Sequence, residues 1–256
     1  MRKTGLIATL ILGLSGCVAS GSVGDLSELS HIHNVALQGD TVYVGTHEGL
    51  FTAGSDGDWV RVGEEFDVMA LTTVDGTLLA SGHPGRGLDL PDPIGLVSSP
   101  DGGESWDSLS LAGEVDFHLL EASGTTIVGV AANYGVLVMS PDFGQTWETL
   151  EVPALTDLAI DPSNSSSIVL ATDRGLHRSV DGGENFALTR TTVKPVLLDW
   201  SGAGLFGATE DALWRWDEMT STWDLVQEGF GSIQAFSTSG SSFAVLDGTD
   251  LTITDF

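Results

Sequence analysis

From about residue 31 onward the chain alternates short apolar runs with glycine- and aspartate-rich breaks, the pattern of many short strands joined by tight turns. Val35-Ala36-Leu37, Met69-Ala70-Leu71 and Leu158-Ala159-Ile160 each read as an inner strand. A second strand follows each of them, at Val42–Thr46, Leu78–Gly82 and Ile168–Thr172. After a turn comes a third, as in Gly49-Leu50-Phe51, Gly95-Leu96-Val97, Gly135-Val136-Leu137 and Gly175-Leu176-His177, and a fourth ends the unit. Four short strands in about 40 residues is the period of a β-propeller blade. The pattern therefore predicts an all-β chain, a β-propeller of six four-stranded blades at 33–63, 67–112, 116–151, 155–191, 195–229 and 233–256. The last blade shows three strands, so a strand from Asp25 to Ser30 is expected to complete it and close the ring.

One phrase recurs inside these units. It stands as Ser99-Pro100-Asp101-Gly102-Gly103-Glu104-Ser105-Trp106, as Ser140-Pro141-Asp142-Phe143-Gly144-Gln145-Thr146-Trp147, and as Ser179-Val180-Asp181-Gly182-Gly183-Glu184-Asn185-Phe186. The aspartates lie 41 and 39 residues apart, which is blade spacing. The phrase resembles the Asp-box, or BNR repeat, with Asn185 a departure in the third copy. Two worn copies flank it: Ser55-Asp56-Gly57-Asp58-Trp59, and one closed by Trp223 in which Glu218 takes the aspartate's place. An aspartate accepting local amide hydrogen bonds, followed by a residue free to adopt positive φ, makes a tight turn. The aromatic anchors the next strand. Asp101, Trp106, Asp142, Trp147, Asp181 and Phe186 are thus expected to be structural.

The N-terminus carries an address. Arg2 and Lys3 precede the apolar run Leu6 to Leu14, too short to span a bilayer as a helix. The run ends in Leu14-Ser15-Gly16-Cys17, which resembles a bacterial lipobox. Residues 1–16 are expected to be a lipoprotein signal peptide, 17–30 a lipidated N-terminus and tether with the lipid on Cys17, and 31–256 the propeller. That implies an extracytoplasmic protein held to the bacterial membrane or envelope through Cys17.

Charge sharpens the picture. Asp plus Glu number 36 against 9 Lys plus Arg, a formal charge of −27. Cleavage before Cys17 would remove Arg2 and Lys3, leaving 7 basic residues and a charge of −29. Such a chain repels phosphate backbones, so nucleic acid is excluded as a partner. A single cysteine excludes a disulfide framework and any zinc site built on several thiolates.

The histidines are unevenly placed. His31 and His33 precede and open the first inner strand, and His118 opens the third blade's in the same way. His47 and His83 fall in the turns between second and third strands of blades one and two. In a four-stranded blade those positions share one face of the disc, opposite the Asp-box turns. The long insertion Pro84–Pro93, with Arg86, Asp89 and Asp92, lies on the same face. As an i, i+2 pair in extended backbone, His31 and His33 are expected to point the same way. His31, His33, His47, His83 and His118 are therefore candidate ligands for zinc, copper or nickel, with Asp67 and Asp116 as further ligands or orienting groups. His177, aligned with Phe51 and Leu137, reads as structural.

The phrases His31-Ile32-His33, Thr46-His47-Glu48-Gly49-Leu50, Ser81-Gly82-His83-Pro84 and Asp116-Phe117-His118 resemble a bacterial group of Asp-box propellers known as BNR-repeat glycosyl hydrolases or sortilin-like proteins. That resemblance implies an extracellular protein or glycan ligand, and a glycoside hydrolase as the alternative to a binding protein. The activity rests on fold analogy alone, and fold does not carry chemistry. No catalytic residue is recognisable. A sialidase is not expected: the likeness to Asp-box sialidases would imply a tyrosine nucleophile in the last two blades, and the chain's tyrosines, Tyr43 and Tyr134, fall elsewhere. The expectation is a membrane-anchored propeller that binds a ligand or a transition metal, or docks a partner, through its histidine-rich face.

Overall fold

The computed structural model describes residues 21–27, 29, 31–54 and 58–255. These form six antiparallel sheets of four strands each, a six-bladed β-propeller. Blade one holds Ile32–Gln38, Thr41–Thr46, Gly49–Ala53 and Trp59–Val62 in that order outward from the centre. Inner strands of the next blades are Phe66–Val74, Phe117–Ser123, Asp157–Ile160, Leu197–Ser201 and Ile233–Ser239. Each blade falls where the strand period placed it.

The ring closes differently from expectation. The outer strand of blade six is Gly21–Asp25, paired antiparallel with Asp250–Asp255. The strand pattern places this strand at Asp25 to Ser30 and leaves 21–25 to the tether, whereas the structure puts it at Gly21–Asp25. The register explains the shift: Asp25 already pairs with Asp250 at the end of the ladder, and Leu26, fully buried, turns into the core between blades six and one. Cys17 and the worn copy at Ser55-Asp56-Gly57 lie outside the described residues.

The core lies between blades rather than within them. Six apolar clusters each span one junction, as with Tyr43 and Leu50 of blade one against Phe66, Val68 and Leu78 of blade two. A polar clasp crosses every junction as well. Asn34 Nδ2 donates to the Val68 carbonyl, Phe117 N to Ser81 Oγ, and Ser123 Oγ to the Asp161 carbonyl. Leu198 N donates to Asp157 Oδ2, Thr238 N to Asp199 Oδ2, and Leu37 N to Ser237 Oγ.

The three repeated phrases fold alike. Asp101 accepts from Ser105 N at 3.0 Å and from Ser105 Oγ at 2.6 Å, and Ser99 Oγ accepts from Gly103 N at 2.7 Å. Asp142 holds Thr146 the same way, at 2.7 Å for each bond. In the third copy Asn185 Nδ2 donates to Asp181 Oδ2 at 2.9 Å, so the departure keeps the contact. The second position after each aspartate packs onto the preceding blade. A Cβ on Gly103 (φ +96°) would stand 2.4 Å from Leu50, and one on Gly183 (φ +91°) 2.9 Å from Leu150. Trp106 meets Phe66 edge-on at 5.5 Å, and Trp147 Nε1 donates to the Gly144 carbonyl at 3.1 Å.

The worn phrase of blade five departs from expectation. Asp217, not Glu218, makes the turn, accepting from Met219 N and Thr220 Oγ1. Glu218 instead reaches blade four and accepts from both terminal guanidinium nitrogens of Arg178, at 2.9 and 2.6 Å.

Candidate metal centre

All six inner strands surround a central channel of about 310 Å³. Four of these strands begin with a bulge. Register skips one residue between Ile32 and Asn34, Val68 and Ala70, Phe117 and Leu119, and Ile233 and Ala235. The extra residues are His33, Met69, His118 and Gln234. A bulge leaves its residue unpaired and re-aims its side chain, and His33, His118 and Gln234 all line the channel mouth.

Two aspartates organise the histidines around that mouth. Asp67, which opens the inner strand of blade two, takes two rings from blade one: His33 Nε2 stands 3.1 Å from Oδ1 and His47 Nδ1 2.8 Å from Oδ2. Asp116, opening blade three, does the same at the next junction, with His118 Nε2 2.9 Å from Oδ2 and His83 Nε2 3.6 Å from Oδ1. His83 Nδ1 also meets Asp92 Oδ1 of the inserted loop at 2.7 Å. The five candidate histidines thus share one face, as topology required, but four of them divide between two anchors rather than meeting at one point, and His31 reaches neither.

His31 does not pair with His33 as expected. Its φ of +48° breaks the extended backbone, and His33 sits in the bulge, so the rule that i and i+2 share a face fails. The His31 ring packs edge-on against His47 instead, with centroids 6.0 Å apart. His177 is buried beside Thr172 Oγ1 at 3.3 Å, which suits the structural role expected of it.

Among the described residues, His33, His47 and Asp67 form the group whose ligand atoms all lie within 4.8 Å of one another. His33 Nε2 and Asp67 Oδ1 are buried, and neither has a hydrogen-bond partner despite their 3.1 Å separation. Two imidazole nitrogens and one carboxylate oxygen are a donor set suited to zinc, copper or nickel. Burial holds the His33 pKa below the ordinary histidine value against the pull of Asp67, which favours the neutral, ligating form. His83 goes the other way. Burial acts to lower its pKa, but the Asp92 hydrogen bond and the charges of Asp116, Asp92 and Asp67 outweigh it and raise the net value.

Deeper in the channel stand carboxylates that the strand pattern did not single out. Glu121, Asp157 and Asp199 line its wall. Burial pushes Asp157 up to about 7 and Asp199 to about 6, and Glu121 well above the ordinary range. The available signal was a charged residue inside an otherwise apolar inner strand, as in Phe117-His118-Leu119-Leu120-Glu121.

Fold and site together define a six-bladed propeller with a histidine–aspartate cluster at one mouth of its channel. No protein-family model matches the chain, and no curated protein matches it in sequence. Solved structures do match in fold. A gluconolactonase from Xanthomonas campestris superposes with a TM-score of 0.69 at 12% identity, over 91% of this chain and 88% of that one. An ancestral GH74 enzyme matches at 0.53 and 15% identity over 87% of this chain, which spans only 35% of the enzyme's length. YCF48 bound to a D1 peptide matches at 0.55 and 15%, over 90% of this chain and 80% of that one. At such identities the likeness is one of fold.

Proposed function

We propose that this protein is a lipid-anchored, extracytoplasmic propeller that binds a divalent transition metal through His33, His47 and Asp67 and presents it at the channel mouth. One observation carries the reading: His33 Nε2 and Asp67 Oδ1, both buried and 3.1 Å apart, make no well-aligned hydrogen bond, and with His47 they bring three ligand atoms within 4.8 Å of one another. A buried, unpaired polar atom costs about 1–3 kcal/mol, and a cation bound by both relieves that cost. His47, more exposed, supplies the third donor from the solvent side. Metal chemistry here would be Lewis-acid binding of a ligand oxygen at the open coordination positions.

The glycoside-hydrolase alternative has less behind it. Asp157 and Asp199, the channel carboxylates with raised pKa values, are engaged by backbone amides of the next blade.

Equilibrium dialysis of protein purified without a histidine tag, against zinc, copper(II) and nickel separately, tests the proposal. Stoichiometric retention is expected, with His33→Ala and Asp67→Asn each weakening that site by at least about tenfold. Saturation at about 100 times Kd should raise stability by about 2.7 kcal/mol. Absence of a retained ion, or retention unchanged in both variants, would sink the metal reading.

A further inference from the structure

The junction between blades two and three carries its own unsatisfied buried oxygen, Asp116 Oδ1, facing a histidine ring. Asp92 Oδ1, 2.7 Å from His83 Nδ1, fixes that nitrogen as the proton-bearing one in the neutral ring, so the lone pair is on Nε2. This is the carboxylate–histidine arrangement that orients metal-bound imidazoles. Nε2 lies 3.6 Å from Asp116 Oδ1, a buried oxygen without a hydrogen-bond partner. The other Asp116 oxygen is held by His118 Nε2 at 2.9 Å, which keeps the carboxylate from turning away.

We propose that His83 Nε2 and Asp116 Oδ1 form a second divalent-cation site, with Asp92 and His118 as the positioning residues. Metal bonds of about 2.0–2.2 Å to nitrogen and oxygen span 3.6 Å at an angle of about 120°. Two protein donors leave several coordination positions open, so this ion keeps water or takes oxygen atoms from a ligand. Asp67 and His83 are register partners on neighbouring strands, so the two sites stand side by side across blade two. The second site shares the metal chemistry proposed for His33, His47 and Asp67 but none of its donors. It is tuned by a loop, Pro84–Pro93, that blade one does not have.

Zinc stoichiometry by equilibrium dialysis of the untagged protein separates the two sites. The wild-type chain is expected to bind two ions. His83→Ala should bind one, and the double variant His33→Ala/His47→Ala should retain the ion that depends on His83. Asp92→Asn preserves side-chain size and the fold, and should weaken one ion by about 10- to 100-fold while leaving the other unchanged. Cobalt(II) substituted for zinc reports the same loss in its visible spectrum. A single ion per chain that persists unchanged in His83→Ala overturns this proposal and leaves the first site standing. So do two ions that both persist in His83→Ala and Asp92→Asn, and so does an imidazolium ring at His83 in nitrogen-15 spectra under saturating zinc. A single ion lost only in His83→Ala supports the second site and sinks the first. Failure of any ion to bind overturns both.

Discussion

Gly82 shows how narrowly single residues set the site. Its φ of +154° suits glycine, and a Cβ there would stand 1.7 Å from the Asp67 carbonyl oxygen and 3.0 Å from Met69 N. The backbone of blade two must come that close because the bulge at Met69 kinks the inner strand just past Asp67. Gly76, at φ +83° in a turn with open space around it, makes the control. Gly82→Ala is expected to cost about 3 kcal/mol or more, since overpacking typically costs about 1–3 kcal/mol and the neighbour here is backbone. Gly76→Ala should cost only the left-handed strain, about 1–2 kcal/mol. Denaturant midpoints measure the difference. Only Gly82→Ala should also impair metal binding, because yielding would move Asp67. Equal costs for the two variants would refute the argument.

At the level of elements, inner strands both wall the channel and clasp one another. Asp199 illustrates the tension, since its carboxylate accepts Thr238 N at 2.8 Å yet burial raises its pKa to about 6. A raised carboxyl pKa means the folded state holds the proton more tightly than the unfolded chain. The associated stability is fully present below the unfolded value near 3.8 and is lost as pH rises through about 6. Asp157 extends the same loss to about 7. The turn aspartates act outside this window. Hydrogen bonds from Ser105 and Ser99 hold Asp101 down to about 2, so its contribution is lost only as pH falls below the ordinary carboxylate range. Asp199→Asn keeps an acceptor for Thr238 N without a titrating charge. Its thermal midpoint should change less than wild type between pH 4.5 and 7.5 on the scale set by these two pKa values. Parallel curves for the two proteins would refute the assignment.

Blade boundaries were legible in sequence because strand alternation and turn chemistry are local, and the shared face of the histidines followed from strand order alone. Their division between Asp67 and Asp116 was not legible. It depends on the His31 backbone and the bulges at His33 and His118, which no alternation pattern encodes. Asp92 lay in a loop whose length was visible but whose path was not.

For the whole molecule, the closing strand would determine which way the histidine face looks in an anchored protein. Gly21 pairs with Ile253 and Asp25 with Asp250, so the strand runs from the face of the repeated aspartate turns toward the histidine face. Gly21, where this strand begins, therefore stands on the side opposite the proposed metal sites. Cys17 precedes this strand by only three intervening residues, Val18, Ala19 and Ser20, a reach of about 14 Å at most over the four steps. A lipid on Cys17 would hold the propeller close to the membrane with its channel mouth and histidines turned outward. The strongly acidic mature chain, −29 after cleavage before Cys17, would then concentrate cations at an accessible face. In the native host, Cys17→Ala should move the protein from the membrane fraction to the soluble one and leave metal stoichiometry unchanged, because the closing strand is intact. A cysteine placed at Ser232, on the histidine face, should react with a membrane-impermeant maleimide in the anchored protein. One placed at Gly182, in an aspartate turn, should react more slowly there and equally fast once Cys17 is removed. Equal labelling of both positions in the anchored protein would refute the outward orientation, and a Cys17→Ala protein still in the membrane fraction would refute the anchor.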